Sequence, residues 1–130
     1  MHAVHQRLFF TGSAASRAAG QATLGRIYGR TYGRDEPVTW ATWLAQYDAV
    51  CDWCIPSHAL LDRVSALDLP VFAASGDSDP MIPPHYTYLL GGLIPQAEVK
   101  IYPDAAHGFL FQHHAEFAAD VDAFLGVSAG

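Results

Sequence analysis

The sequence predicts an α/β fold built on parallel strands, and three observations carry that prediction. Val71-Phe72-Ala73-Ala74-Ser75 is a short apolar run of the kind a buried strand needs. Ala97 to Tyr102 reads as a second strand, with Val99 and Ile101 alternating against Glu98 and Lys100. Between them, Pro83-Pro84 opens a helical segment carrying Tyr86, Leu89, Leu90 and Leu93, and Pro95 stops it. Strand, helix, strand in this order implies parallel neighbours joined by a right-handed crossover. A last helix is expected from Gln112 or His113, with Phe117, Val121, Phe124 and Leu125 on one face and Asp120 and Asp122 off it.

The first half of the chain reads differently. Residues 5–34 are weakly helical, because glycines at 12, 20, 25, 29 and 33 lower helix propensity while permitting close helix contact. Arg34-Asp35-Glu36-Pro37 reads as a linker. Thr39 is a plausible N-cap for a clearer helix in which Trp40, Trp43, Leu44, Tyr47, Val50, Cys51 and Cys54 recur at helical spacing, ended by Pro56. Such an aromatic stripe suits core packing or the roof of a pocket. Ser57 can cap a further short helix to about Ala66. The chain therefore divides into a helical segment, 1–66, and a strand-bearing segment, 67–130.

Composition narrows the function classes. Hydrophobic residues make up 51% of the sequence, enough for a real core, yet no apolar run approaches a membrane span. The N-terminal residues lack a signal-peptide core, so a cytoplasmic location and no membrane partner are expected. The net charge is −6, and from Ser65 onward Lys100 is the one base against eight acids. That balance argues against a nucleic-acid partner, which wants a basic face.

Cys51-x-x-Cys54 offers half of a zinc site or a redox pair. A redox pair of the thioredoxin type follows a strand and opens a helix, whereas this one ends a helical pattern. The favoured expectation is two buried cysteines acting as small hydrophobes. No metal site and no cofactor are expected, since the histidines show no ligand spacing.

In open parallel sheets, functional groups collect beyond the carboxyl ends of strands. Two loops hold that place, Gly76 to Pro80 and Pro103 to Gly108, presenting Asp79 and His107. A carboxylate beside an imidazole fixes its tautomer and stabilises its protonated form. His113 and His114 read as solvated surface groups, and His85 as exposed helix surface or pocket rim.

These motifs resemble the C-terminal half of the α/β-hydrolases. Leu69-Pro70-Val71-Phe72 and Gly76-Asp77-Ser78-Asp79-Pro80 resemble the penultimate strand and acid loop of that family. Ile94-Pro95-Gln96-Ala97-Glu98 resembles its lead-in to the last strand. Tyr102-Pro103-Asp104-Ala105-Ala106-His107-Gly108-Phe109 resembles its histidine loop, and Glu116-Phe117 through Phe124-Leu125 its closing helix. The resemblance spans about residues 67–125, with residues 1–66 similar to the helical cap. It implies a partial α/β-hydrolase fold and Asp79 as triad acid, with Asp77 holding the turn. His107 is the implied triad histidine. Met81, Ile82 and Phe109 are implied to line a substrate pocket or to pack in the core. Ala106 stands where the family carries glycine, which is tolerable at a negative φ.

The family's nucleophile elbow, G-x-S-x-G, does not occur in this sequence, and Thr11-Gly12-Ser13-Ala14-Ala15 lacks its context. Two parallel strands leave an open edge and too little cover for so apolar a chain. A homo-oligomer or a complementary N-terminal hydrolase half is the expected partner. The implied activity is esterase- or lipase-like hydrolysis of a small molecule. The alternative is a non-catalytic binding or oligomerisation module derived from the same fold.

Overall fold

The computed structural model describes residues 2–128. Its elements are α1 (His2–Phe9), α2 (Ala14–Gly29), α3 (Trp40–Trp53), α4 (His58–Ser65), β1 (Val71–Gly76), α5 (His85–Leu93), β2 (Ala97–Tyr102), α6 (Phe109–Gln112) and α7 (His114–Ser128). The expected α/β class and strand order hold. α7 starts one residue later than expected, because Phe109–Gln112 forms a separate helical turn in what reads as loop.

Local chemistry explains the helix starts. The side chains of Ser13, Thr39 and Ser57 accept from the amides of Ser16, Thr42 and Leu60. Each cap of this kind stabilises its helix by about 1 kcal/mol. Gly20 lets α2 approach α1, since a Cβ there would strike the side-chain amide of Gln6.

β1 and β2 pair in parallel, from Val71 opposite Ala97 to Gly76 opposite Tyr102. Side chains alternate across the sheet, so the pair has two distinct faces. One carries Ala73 and Val99, and Val99 lies against Gly91 of α5. The other carries Phe72, Lys100 and Tyr102, and it lies under α7: Phe72 meets the rings of Phe117 and Phe124. Tyr102 is fully buried, and its hydroxyl donates to Asp120 at 2.6 Å. Lys100 reaches Glu116 at 2.9 Å and Asp120 at 3.4 Å. Asp120, off the apolar face of α7 by pattern, thus terminates the polar end of a core tyrosine. Burial and that hydrogen bond push the Tyr102 hydroxyl well above the usual tyrosine range.

The buried apolar core is small and sits where strands meet loops: Phe10, Ala73, Ile94, Tyr102, Ala105 and Ala106. Three sequence expectations fail here. The aromatic stripe of α3 is not core, because every residue of that helix is exposed. Its rings stack on one another instead, Trp40 on Trp43 at 4.8 Å and Trp43 on Tyr47 at 5.3 Å. Cys51 and Cys54 are exposed free thiols, not buried hydrophobes. His113 is not a solvated group: its ring lies against Tyr102 at 5.5 Å, and Nε2 approaches the Pro103 carbonyl at 3.0 Å.

Candidate active site

The strand register brings the two loops level. Beyond Gly76, the Asp77 amide donates to Tyr102 O at 3.0 Å and the Ser78 amide to Ala105 O at 2.9 Å. The Asp77 carboxylate reaches back, accepting from the amides of Asp104 at 3.0 Å and Ala105 at 3.2 Å. Partial burial pushes that carboxyl up, but these bonds and one from the Ser78 hydroxyl outweigh it and hold Asp77 below the ordinary aspartate value. Gly76 makes the approach possible, since a Cβ there would run into the carbonyl oxygens of Ala105 and Ala106.

Asp79 is buried, with 7% of its surface exposed, and uses its two oxygens differently. Oδ1 accepts from the amides of Met81 at 2.8 Å and Ile82 at 3.0 Å. This is the turn-stabilising arrangement that sequence reasoning assigned to Asp77. Oδ2 lies 2.9 Å from His107 Nδ1. Two amides anchoring one oxygen aim the other at the imidazole. The His107 side chain keeps 30% of its surface exposed, so it can be reached from solvent. With Nδ1–H donating to the carboxylate, Nε2 is the nitrogen able to take a proton.

The histidine loop is held from its other side by the start of the chain. His107 N–H donates to Leu8 O at 3.2 Å and Gly108 N–H to Phe9 O at 2.8 Å. The Phe9 ring meets His107 edge-on at 5.3 Å. Gly108 permits this, since a Cβ there would crowd the Phe9 carbonyl at 2.6 Å.

Asp104 is the residue that sequence reasoning missed. Its φ is 52°, and among the described non-glycine residues it alone has a positive φ. Aspartate is among the side chains that tolerate this conformation. Ala106, where the resemblance implies a glycine, has no left-handed backbone. The Asp104 carboxylate accepts from Thr11 Oγ1 at 2.6 Å and Ser13 Oγ at 2.5 Å. Gln112 Nε2 donates to Asp104 O at 2.8 Å, and fully buried Ser16 donates to Gln112 Oε1 at 2.6 Å. No local signal announces a bond between residues 91 or 93 positions apart.

The hydroxyls of Ser13 and Thr11 hold the Asp104 carboxyl below the ordinary value of 3.8. A carboxyl lowered in the folded state contributes stability above its unfolded value, and that contribution is lost as pH falls through the folded value. The urea midpoint of the chain is therefore expected to fall as pH drops from about 5 to about 2. Asp104→Asn should flatten part of that slope, leaving the share of Asp77 and of Asp120, also lowered by its bond from Tyr102. An unchanged slope in the variant would show that the Thr11–Ser13 clasp is irrelevant to folding.

Comparison with known proteins gives the site its setting. Residues 6–114 match the profile of the family described as alpha/beta hydrolase fold. The chain belongs to that family. A solved structure, an alpha/beta hydrolase fold protein from Chitinophaga pinensis, is 33% identical and matches with a TM-score of 0.87. The match covers 96% of this chain and 45% of that one, so this α/β-hydrolase chain spans less than half of that relative's length. The family match takes in residues 6–66, upstream of the motifs that carry the resemblance in sequence.

The other candidate residues of this chain fall in different places. Met81 and Ile82 are exposed beside Asp79, and their amides hold it. Phe109 stacks on Tyr102 at 5.2 Å and meets Phe117 edge-on at 5.6 Å, the contacts of a packed side chain. His85 lies on the surface against Tyr86. Among the described residues, no three His, Cys, Asp or Glu side chains gather to hold a metal, and no helix is long and apolar enough to cross a membrane.

Proposed function

We propose that this chain supplies the acid and the histidine of a Ser-His-Asp hydrolase acting on esters or related acyl bonds of a small molecule. The observation that carries the reading is the bond from His107 Nδ1 to a buried Asp79 whose other oxygen is anchored by two amides. In this reading His107 Nε2 takes the proton of the nucleophile as it attacks the carbonyl, then returns it to the leaving group. Asp79 orients the ring and stabilises the imidazolium. The nucleophile and the oxyanion donors come from residues outside this sequence, which holds no G-x-S-x-G. The reaction needs no cofactor.

The partner that fits is a complementary N-terminal hydrolase half. Within the described residues β1 pairs with β2 alone, and Tyr88, Leu89 and Leu90 of α5 are exposed. A second strand against β1 would satisfy its open edge. The rival reading, a non-catalytic module, draws on the missing elbow.

The test is complementation. The chain is mixed with a separately expressed hydrolase half carrying G-x-S-x-G, and turnover of a p-nitrophenyl ester is followed. Turnover that falls by roughly 10⁴-fold or more in His107→Ala supports the proposal. A stable complex without turnover favours the module, and self-association without hetero-complex favours a homo-oligomer.

A further inference from the structure

The two cysteines take no part in the proposed reaction, and the geometry around them points to a chemistry of their own. Cys51 lies in the last turn of α3 and Cys54 is its C-cap residue, still in right-handed helical conformation at φ −72° and ψ −9°. Helical positions three apart place their Cα atoms about 5 Å from each other. That falls inside the range of roughly 4.4–6.8 Å that a disulfide spans. Helix side chains three apart start slightly too far apart for the bond, at about 5–6 Å between Cβ atoms. The end of α3 supplies a correction. Cys54 N–H still donates to Val50 O at 3.0 Å as in a regular helix, but at the next residue Ile55 N–H donates to Asp52 O at 3.2 Å, and that three-residue winding, which brings side chains three apart toward eclipse, has to extend back by one residue to serve the pair.

Exposure removes the remaining obstacle. Both cysteines are exposed residues, as is all of α3, so an adjustment of the last turn displaces no buried neighbour and gives up one exposed contact, that of the Cys51 side chain with the Tyr47 hydroxyl. Pro56 follows at once and carries no N–H that the tightened turn would need.

We propose that Cys51 and Cys54 form a reversible dithiol–disulfide pair, oxidised by low-molecular-weight disulfides of the glutathione class. One cysteine, as thiolate, attacks a sulfur of the small disulfide, forming a mixed disulfide and releasing one small thiol that takes up the proton. The second cysteine attacks the protein-side sulfur of that mixed disulfide, forming the Cys51–Cys54 bond and releasing the second small thiol with its proton. Two protein thiols are oxidised and one small disulfide is reduced to two thiols. The same pair is reopened by a dithiol reductant.

The experiment uses the full chain, incubated under native conditions with glutathione disulfide and read by thiol titration, mass spectrometry and non-reducing electrophoresis. Wild type is expected to lose both thiols, to drop in mass by two hydrogens and to stay one chain, with dithiothreitol restoring both thiols. Cys51→Ser and Cys54→Ser should each stop at a single glutathione adduct, which accumulates roughly tenfold or more above its level in wild type. Trp53, between the two cysteines and 70% exposed, gives a second readout, since fluorescence should fall on ring closure in wild type alone. The proposal is overturned if wild type stalls at glutathione adducts, links chain to chain, or keeps both thiols.

Discussion

Asp79→Asn is expected to lower turnover of the reconstituted hydrolase by roughly 10⁴-fold while leaving the chain folded. The argument rests on how the carboxylate divides its work. Oδ1 accepts from two amides, Met81 and Ile82, and only an oxygen can do that. In the asparagine variant the amide oxygen must stay there, and the NH₂ group must face His107. The imidazole then has to present Nδ1 as an acceptor, which moves its proton to Nε2 and blocks the nitrogen proposed as the base. Two measurements check this. Ester turnover of the reconstituted enzyme should collapse with KM little changed. Nitrogen NMR of His107 in the chain alone should switch from the Nδ1–H to the Nε2–H tautomer. Asp79→Ala tests the other half of the argument: it leaves two amides without their acceptor and should cost about 1–3 kcal/mol in stability as well. An asparagine variant that keeps near-normal turnover would remove Asp79 from the reaction.

Gly76→Ala should be the most damaging single methyl group in the chain. It sits at the end of β1, where the two loops cross, and its Cβ would meet backbone carbonyls of Ala105 and Ala106 rather than a side chain that could swing away. Backbone overpacking of this kind costs about 3 kcal/mol or more, because relief requires moving a loop. The loop that must move carries His107, so the bond to Asp79 should loosen together with the cross-loop bonds of Asp77 and Ser78. The control is Gly92→Ala in α5, where an added Cβ meets nothing. That change should be neutral or stabilising by up to about 1 kcal/mol, since alanine favours the helix. Urea unfolding of both variants decides the matter, and equal midpoints would show that the crossing is slack.

Much of the fold was legible because its signals are local. Proline positions, hydroxyl caps and the change from helical to alternating periodicity mark element ends to within a residue or two, as at Thr39, Ser57 and the strand Ala97–Tyr102. Asp79 and His107 were legible for a related reason, as each follows the end of a strand and parallel pairing brings such ends together. Asp104 was not, since its partners Thr11 and Ser13 sit in a segment that nothing in the local pattern ties to the histidine loop.

The sequence by itself determined the α/β order, the parallel pair and the two loop residues that meet at 2.9 Å. Tertiary structure alone decided how that meeting is held. It assigned one Asp79 oxygen to two amides, set Asp77 to staple the loops, and clasped Asp104 to Thr11 and to Ser13, the N-cap of α2. It also left the aromatic and cysteine face of α3 in solvent. The physical reason is the same throughout. Periodicity records which face of an element is apolar, but not whether another element covers it, and a hydrogen bond between distant segments exists only once the chain has brought them together.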